Sequence, residues 1–264
     1  MLEFNKIYKG KTLDGVWLQV YNELAPTENE IISLASSRDG DVVGEIINAT
    51  LVVEDPTRNI LKNPIRKMPM RYAVGEFLWY LSGNPSLQAI GHYSKAWERM
   101  SDDDETVNSN YGFIIGGSID RCHGESELAV DRKSHFNQFD YCYDLLREDP
   151  NTRQAIIHIK TPRDTRKYPT KDLNCTVYCQ FFIRHDKLYM STHMRSNDLW
   201  MGVPYDCFFF MNLQVLMAMK LGIDIGTYTH YAGSLHLYMR DYEASLQNMK
   251  KVQDEIGNPK ESTD

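Results

Sequence analysis

The sequence predicts an α+β fold. Blocks with apolar residues at helical spacing recur along the chain. Strand-like runs rich in β-branched and aromatic residues lie between them, and two of those runs meet at a two-residue turn. Residues 12–24 place Leu13, Val16, Trp17, Val20, Tyr21 and Leu24 on one helical stripe. A polar loop with Ser36, Ser37, Arg38, Asp39 and Gly40 follows, and EIINATLVVEDP then reads as a strand that Pro56 stops. Residues 70–82 form an apolar helix ended by Gly83, Asn84 and Pro85, and its one acid is Glu76. SDDDE at 101–105 is a solvated acidic loop, and NSNYGFIIGG after it reads as a Gly-rich turn region. That region lacks the helix-opening G-x-G-x-x-G spacing of a dinucleotide site.

Helical character returns over 135–147, and a turn at Asp149-Pro150-Asn151-Thr152-Arg153 leads into a strand, QAIIHIK. TPRDTRKYPTKDLN is a charged loop. The runs TVYCQFFIR and KLYMSTHMRS flank His185-Asp186 and read as a hairpin. Residues 205–221 are a long buried helix, TYTHYAGSLHLYMRD is a strand and turn, and 239–252 is a last amphipathic helix. From about residue 256 the chain is polar, and a mobile tail is expected there. No internal repeat or Pro/Gly/Ser-rich linker interrupts the chain, so residues 1–264 are expected to form a single domain.

Composition narrows the function classes. The chain is 42% hydrophobic and 25% charged, the balance of a globular protein with a real core. Its net charge of −7 argues against DNA as a partner. No apolar run reaches membrane-spanning length, and the first residues carry no apolar signal region, so a cytoplasmic location without membrane contact is expected. The cysteine count is five, without C-x-x-C pairs, which fits reduced thiols better than disulfides or a zinc ribbon; no metal site is expected.

Several residues have the chemistry of a site. Cys175 heads a strand-like run; a cation beside it would favour the thiolate, and Arg195 supplies one if the neighbouring strands pair. A cysteine in an apolar strand is equally at home as inert core, the reading given to Cys179 and Cys207. Arg195-Ser196 makes a fork plus a hydroxyl, suited to an anion, and Arg38 and Arg153 are candidates to join it. Glu76, on an apolar helix, has the setting of an acid/base with a raised pKa, or of a core carboxyl with a local partner. His236 and Tyr238 alternate on a strand and point the same way, as two sugar contacts or as a buried aromatic pair.

The order of Glu76, Trp97, Tyr111-Gly112, Asp149-Pro150 with Arg153, Cys175, Gln180-Phe181, Arg195-Ser196-x-Asp198, Gly202-x-Pro204 and His236-x-Tyr238 resembles the thymidylate synthase superfamily over nearly all of residues 12–243. The resemblance implies a three-layer fold on a bent mixed β-sheet and a homodimer packed sheet to sheet. It implies a pyrimidine nucleoside monophosphate as substrate and 5,10-methylenetetrahydrofolate as co-substrate. Cys175 matches the nucleophile that adds to C6 of the ring, Glu76 the acid/base glutamate that works through ordered water, and Tyr111 the tyrosine near the C5 proton. Arg38, Arg195 and Ser196 match phosphate ligands, and Arg153 matches an arginine that reaches the partner's phosphate site. His236 and Tyr238 match ribose contacts. Trp97 matches a tryptophan near the one-carbon unit, and Asp198 matches an aspartate at the folate and nucleotide edge.

Departures from a synthase refine the expectation. Asp206 stands where a synthase has an Asn that reads uracil. A carboxyl accepts from cytosine's amino group and, when protonated, donates to N3, so Asp206 points to cytosine and to the cytidylate hydroxymethylase branch. Synthases carry a longer C-terminal segment with an apolar end over the folate, whereas this sequence ends in GNPKESTD. Less exclusion of water favours 5-hydroxymethylation over hydride reduction. Cys175 lies in Leu-Asn-Cys-Thr rather than Pro-Cys-His, and Ser234 replaces an Asp, while Trp97 is retained. Ser196 is shared with enzymes of deoxynucleotides. The expected activity is therefore conversion of dCMP to 5-hydroxymethyl-dCMP. The alternatives are a dUMP hydroxymethylase, a thymidylate synthase, a CMP hydroxymethylase, or a silent nucleotide- or RNA-binding relative.

Overall fold

The structure is a computed structural model, which describes residues 3–25, 34–36, 42–116, 137–160 and 170–257. Strands β1 (Glu3–Phe4), β2 (Ile7–Gly10), β3 (Leu34–Ser36), β4 (Val42–Val53), β5 (Ile156–His158), β6 (Thr176–Arg184), β7 (Lys187–Met194), β8 (Asn197–Asp198) and β9 (Asp224–Tyr238) form one mixed sheet. Its order is β1-β4-β9-β7-β6-β5, with β2 and β3 also on β4, and β8 on β9. β4 runs antiparallel to β9 from Val43↔Tyr238 to Val53↔Tyr228. β7 runs parallel to β9 and antiparallel to β6. His185 and Asp186, at φ 51° and 57°, supply the two left-handed residues of a type I′ turn, as the hairpin reading requires.

The sheet bends at one level across three strands. In β9 the buried face holds Tyr228, His230 and Ala232, then slips one residue to Leu235 and Leu237. β4 slips likewise, from Ile46 to Ala49 and Leu51, with Asn48 at φ 60° between them. At the same level β7 gives way to β8, and Arg195 and Ser196 fill the gap. The Arg195 carbonyl accepts from Ser234 N (3.2 Å) and would sit 2.9 Å from a Cβ on Gly233, so only glycine permits this approach. The bend thus places the Arg-Ser pair and the His236/Tyr238 face at one level of the sheet.

Helices cover the sheet. In α1 (Leu13–Leu24) Thr12 accepts from Gly15 N at 3.0 Å as N-cap, the expected stripe is buried, and the Trp17 indole donates to Leu199 O (2.8 Å). α2 (Met70–Leu81) buries Ala73, Glu76, Trp79 and Tyr80 on one side. α3 is Leu87–Gly91, α4 Tyr111–Gly116 and α5 Gln138–Glu148. α6 (Val203–Leu221) is apolar nearly all round, as a core helix must be, and ends at Gly222 in the left-handed region (φ 69°). α7 is Met239–Gly257. No helix among the described residues is long and apolar enough to cross a membrane.

The structure differs from the sequence expectation at several boundaries. The stretch expected as a Gly-rich turn contains α4, because the Asn110 side chain accepts from Phe113 N (2.6 Å) and caps a helix whose Tyr111 ring stacks on Tyr80 (5.1 Å). α6 starts two residues early, since Pro204 suits the first turn. β5 is shorter than QAIIHIK, because Ile159 N and Lys160 N both donate to Val177 O and end regular pairing. β9 starts at Asp224 and passes straight into α7 with no turn between them. α7 carries helix through Gly257, past the expected start of a mobile tail, and the residues beyond lie outside those described.

Gly112 is where α4 meets α2, and a Cβ there would lie 1.4 Å from the Tyr80 carbonyl oxygen. Gly112→Ala is expected to cost about 3 kcal/mol or more, because backbone rather than a flexible side chain must move. Gly116→Ala, with open space around it, is expected to change stability by no more than about 1 kcal/mol. Urea unfolding of the two variants checks the contrast.

Candidate active site

Cys175 sits directly before β6, where the pairing with β7 slips between Thr176 and Tyr178. Its carbonyl accepts from Arg195 N at 2.9 Å. The Arg195 guanidinium donates to the carbonyls of Asn174 (3.2 Å) and Leu173 (3.1 Å), which uses two of its five N–H groups and leaves three for an anion. The neighbouring strands therefore pair, and the pairing seats the Arg195 guanidinium on the carbonyls just before Cys175. Among the described cysteines Cys175 alone is not buried. Burial pushes the Cys142 thiol up to about 12 and raises Cys179 and Cys207 well above the ordinary range, so those three are inert packing. The Asn174 side-chain oxygen beside Cys175 is buried without a hydrogen-bond partner.

Glu76 is 6% exposed. Tyr72, one helical turn earlier, donates to Glu76 Oε1 at 2.6 Å, and the Trp97 indole donates to the Tyr72 hydroxyl at 3.0 Å. Burial raises the Glu76 carboxyl to about 8; the Tyr72 bond pulls it down and the Asp206 charge pushes it up. Glu76 is thus protonated at neutral pH yet close to releasing its proton, the poise an acid/base group needs.

Asp206 lies in the first turn of α6, where the helix dipole ordinarily favours an anion. Burial wins, and the carboxyl rises to about 7 against the hydrogen bonds of Tyr111 and Asn197. The Tyr111 hydroxyl donates to Asp206 Oδ1 at 3.4 Å and accepts from Thr176 Oγ1 at 3.0 Å. Asp206, Tyr111, Thr176 and Cys175 therefore form one continuous set, and Tyr80, stacked on Tyr111, joins it to Glu76. The neutral acid at 206 offers one donor and one acceptor.

At the bend, His236 and Tyr238 share a face, ring to ring at 5.2 Å, as their alternation predicted. Burial lowers the His236 pKa, so its imidazole is neutral. Ser234 donates to Glu45 on the same side, and Asp198 pairs in register with His236. Asp198 accepts from Trp200 N (2.7 Å), and burial raises its pKa. Ser196 is half-buried next to Arg195. Arg153 is exposed and its carbonyl accepts from Gln180 (2.8 Å), so it does not join the Cys175 set within one chain. Arg38 lies outside the described residues.

The thymidylate synthase family profile matches residues 36–260. The chain belongs to that family. It is 31% identical over 202 residues to a deoxyuridylate hydroxymethyltransferase of Bacillus phage SP01, covering 72% of this chain and 51% of that protein. It is 28% identical over 192 residues to a thymidylate synthase of Bacillus subtilis subsp. natto, covering 71% of this chain and 64% of the relative. The chain thus spans about half the length of the first relative and under two thirds of the second. The solved structure of thermostable thymidylate synthase A from Bacillus subtilis superimposes with a TM-score of 0.67 at 20% identity, over 89% of this chain and 83% of that one, which identifies the fold.

Sequence reasoning missed Tyr72, Tyr80, Thr176 and Asn197. Tyr72 and Tyr80 had a readable signal, lying four residues to either side of Glu76 on its helix. Asn197 carried none, because its tie to Asp206 exists only after the sheet bends.

Glu76 holds its proton to about pH 8 in the folded chain and to 4.5 ordinarily. The folded state therefore binds more protons between those values, and stability falls as pH rises through the window. Asp206 acts in the same direction up to about 7. Glu76→Gln is expected to flatten most of the decline in melting temperature between pH 5 and 8, whereas an unchanged slope would place the carboxyl elsewhere.

Proposed function

We propose that this chain transfers a one-carbon unit from 5,10-methylenetetrahydrofolate to C5 of a pyrimidine nucleoside monophosphate, and that its reaction is 5-hydroxymethylation of dCMP. The observation that supports the reading is the half-buried carboxyl of Asp206, raised to about 7 and hydrogen-bonded to Tyr111 beside Cys175. The choice of cytosine rests on a carboxyl standing where a synthase has an Asn. Its O–H would donate to cytosine N3 and its carbonyl would accept from the amino group.

In this reading the Cys175 thiolate adds to C6 and makes C5 nucleophilic. The folate supplies a carbon at the formaldehyde level. Tyr111 stands by the C5 proton, and Glu76 exchanges protons through water as the bond to folate breaks. Water then adds to the exocyclic carbon and Cys175 leaves. The balance is dCMP plus methylene donor plus water, giving 5-hydroxymethyl-dCMP and tetrahydrofolate, with no reductant. Trp97 and Trp79, 5.4 Å apart, offer an aromatic wall for a flat folate ring. The buried, unpartnered Trp79 indole N–H fits a polar group there.

Arg38, Arg195 and Ser196 would hold the phosphate, His236 and Tyr238 the ribose, and Asp198 the folate edge. A homodimer would bring Arg153 to the partner's phosphate. Its exposure supports that role, as does the half-buried sheet face of Tyr178, His193 and Tyr231, whose rings lie 4.3 and 5.4 Å apart in succession.

A second reading, hydroxymethylation of dUMP, is favoured by the named activity of the phage relative. A neutral carboxyl also suits it, since the O–H can meet O4 while the carbonyl accepts from N3–H.

Tritium release from C5 of labelled dCMP tests for chemistry. Cys175→Ala is expected to abolish release while calorimetry still detects nucleotide; ordinary turnover in that variant would remove Cys175 from the mechanism. Asp206→Asn is expected to shift the kcat/KM ratio toward dUMP by roughly 5- to 150-fold, the cost of mispairing one buried polar edge. No shift would sink the base-reading role.

A further inference from the structure

The hydrogen-bond chain from Trp97 to Glu76 runs toward the carboxyl. An indole N–H can donate and cannot accept. The Tyr72 hydroxyl, 3.0 Å from the Trp97 indole, must therefore accept there. Its single proton is left for Glu76 Oε1, 2.6 Å away. An oxygen that accepts this bond is the poorer place for the carboxyl's own proton, so the exchangeable proton belongs on Oε2. The Tyr72 ring is itself fixed edge-on against Tyr205 at 4.7 Å, and the Tyr205 hydroxyl accepts from buried Arg66 at 3.2 Å.

We propose that Tyr72 is a positioning residue that aims the Glu76 carboxyl and, with its direction set by Trp97, confines the transferable proton to Oε2. The inference deepens the proposed function and rests on Glu76 acting as the acid/base there. Other groups facing this pair are Tyr80 on the same helix, Tyr111 on α4, and Tyr205 and Asp206 on α6. Asp206 disfavours a second negative charge, and Tyr72 alone among these hydroxyls has a short bond to Glu76. Removing the Tyr72 donor therefore leaves the carboxylate with less support.

The test is Tyr72→Phe, which keeps the ring against Tyr205 and deletes the hydroxyl. Isotope-edited infrared titration reads the protonated Glu76 carbonyl directly, with Glu76→Gln identifying the band. The Glu76 midpoint is expected to rise by about one pH unit or more, as for loss of a hydrogen bond to a charged group. The pH profile of C5 tritium release is expected to move up with it. Replacing Tyr72 with 2,3-difluorotyrosine, a stronger donor of the same shape, is expected to move the midpoint down, and this variant serves if Tyr72→Phe does not fold. Opposite shifts would support positioning, since a purely structural role gives no such sign. A midpoint unmoved by the fluorinated residue would overturn it. A chain without turnover whose infrared midpoint still shifts would keep the Tyr72 role while rejecting the proposed reaction.

Discussion

Two carboxyls, buried Glu76 and half-buried Asp206, lie close together, and neither has an ion-pair partner among the described residues. Taking a carboxylate out of water without a counter-charge is costly, so each group instead keeps its proton toward neutral pH. The surroundings fit that choice. Hydroxyls from Tyr72 and Tyr111 rather than arginines meet the two acids. Arg195, which is exposed, is instead held by the carbonyls just before Cys175. The arrangement keeps an exposed guanidinium apart from two acids that hold their protons.

The bend in the sheet creates that separation. A flat β9 would keep Tyr228, His230 and Ala232 in one face with every second residue after them. The slip at Gly233, matched by Asn48 in β4 and by the break between β7 and β8, turns His236 and Tyr238 away from the buried face, at the level of Arg195 and Ser196. The close approach of the Arg195 carbonyl to Gly233 is the local cause, and it also seats Arg195 N on the Cys175 carbonyl. Cys175, the Arg195-Ser196 pair and the His236/Tyr238 pair are therefore positioned by one backbone feature.

Much of this was legible in the sequence because local chemistry decides it. The stripe of α1, the His185-Asp186 hairpin and the lone acid on an apolar helix each follow from periodicity or turn chemistry within a few residues. α4 was missed because Gly112 and Gly116 suggest a turn, whereas Asn110 caps a helix and Tyr80 packs on it. Asp206 was legible as a departure from a family pattern. Its proton was not, since that depends on how completely α2, α4 and β6 close around the first turn of α6. The partnership of Trp97 with Tyr72 spans 25 residues and two elements, so no spacing rule exposes it.

If the half-buried acid at 206 reads cytosine and water completes the reaction at C5, both steps leave their mark on the product. Incubating the chain with 5,10-methylenetetrahydrofolate and an equimolar mixture of dCMP, CMP and dUMP, followed by mass spectrometry of the nucleotides, tests both halves at once. The expected product carries the mass of a hydroxymethyl group on dCMP ahead of the other two. A hydroxymethyl group confined to dUMP would contradict the reading of Asp206, and a methyl group on dUMP would contradict the role of water as well.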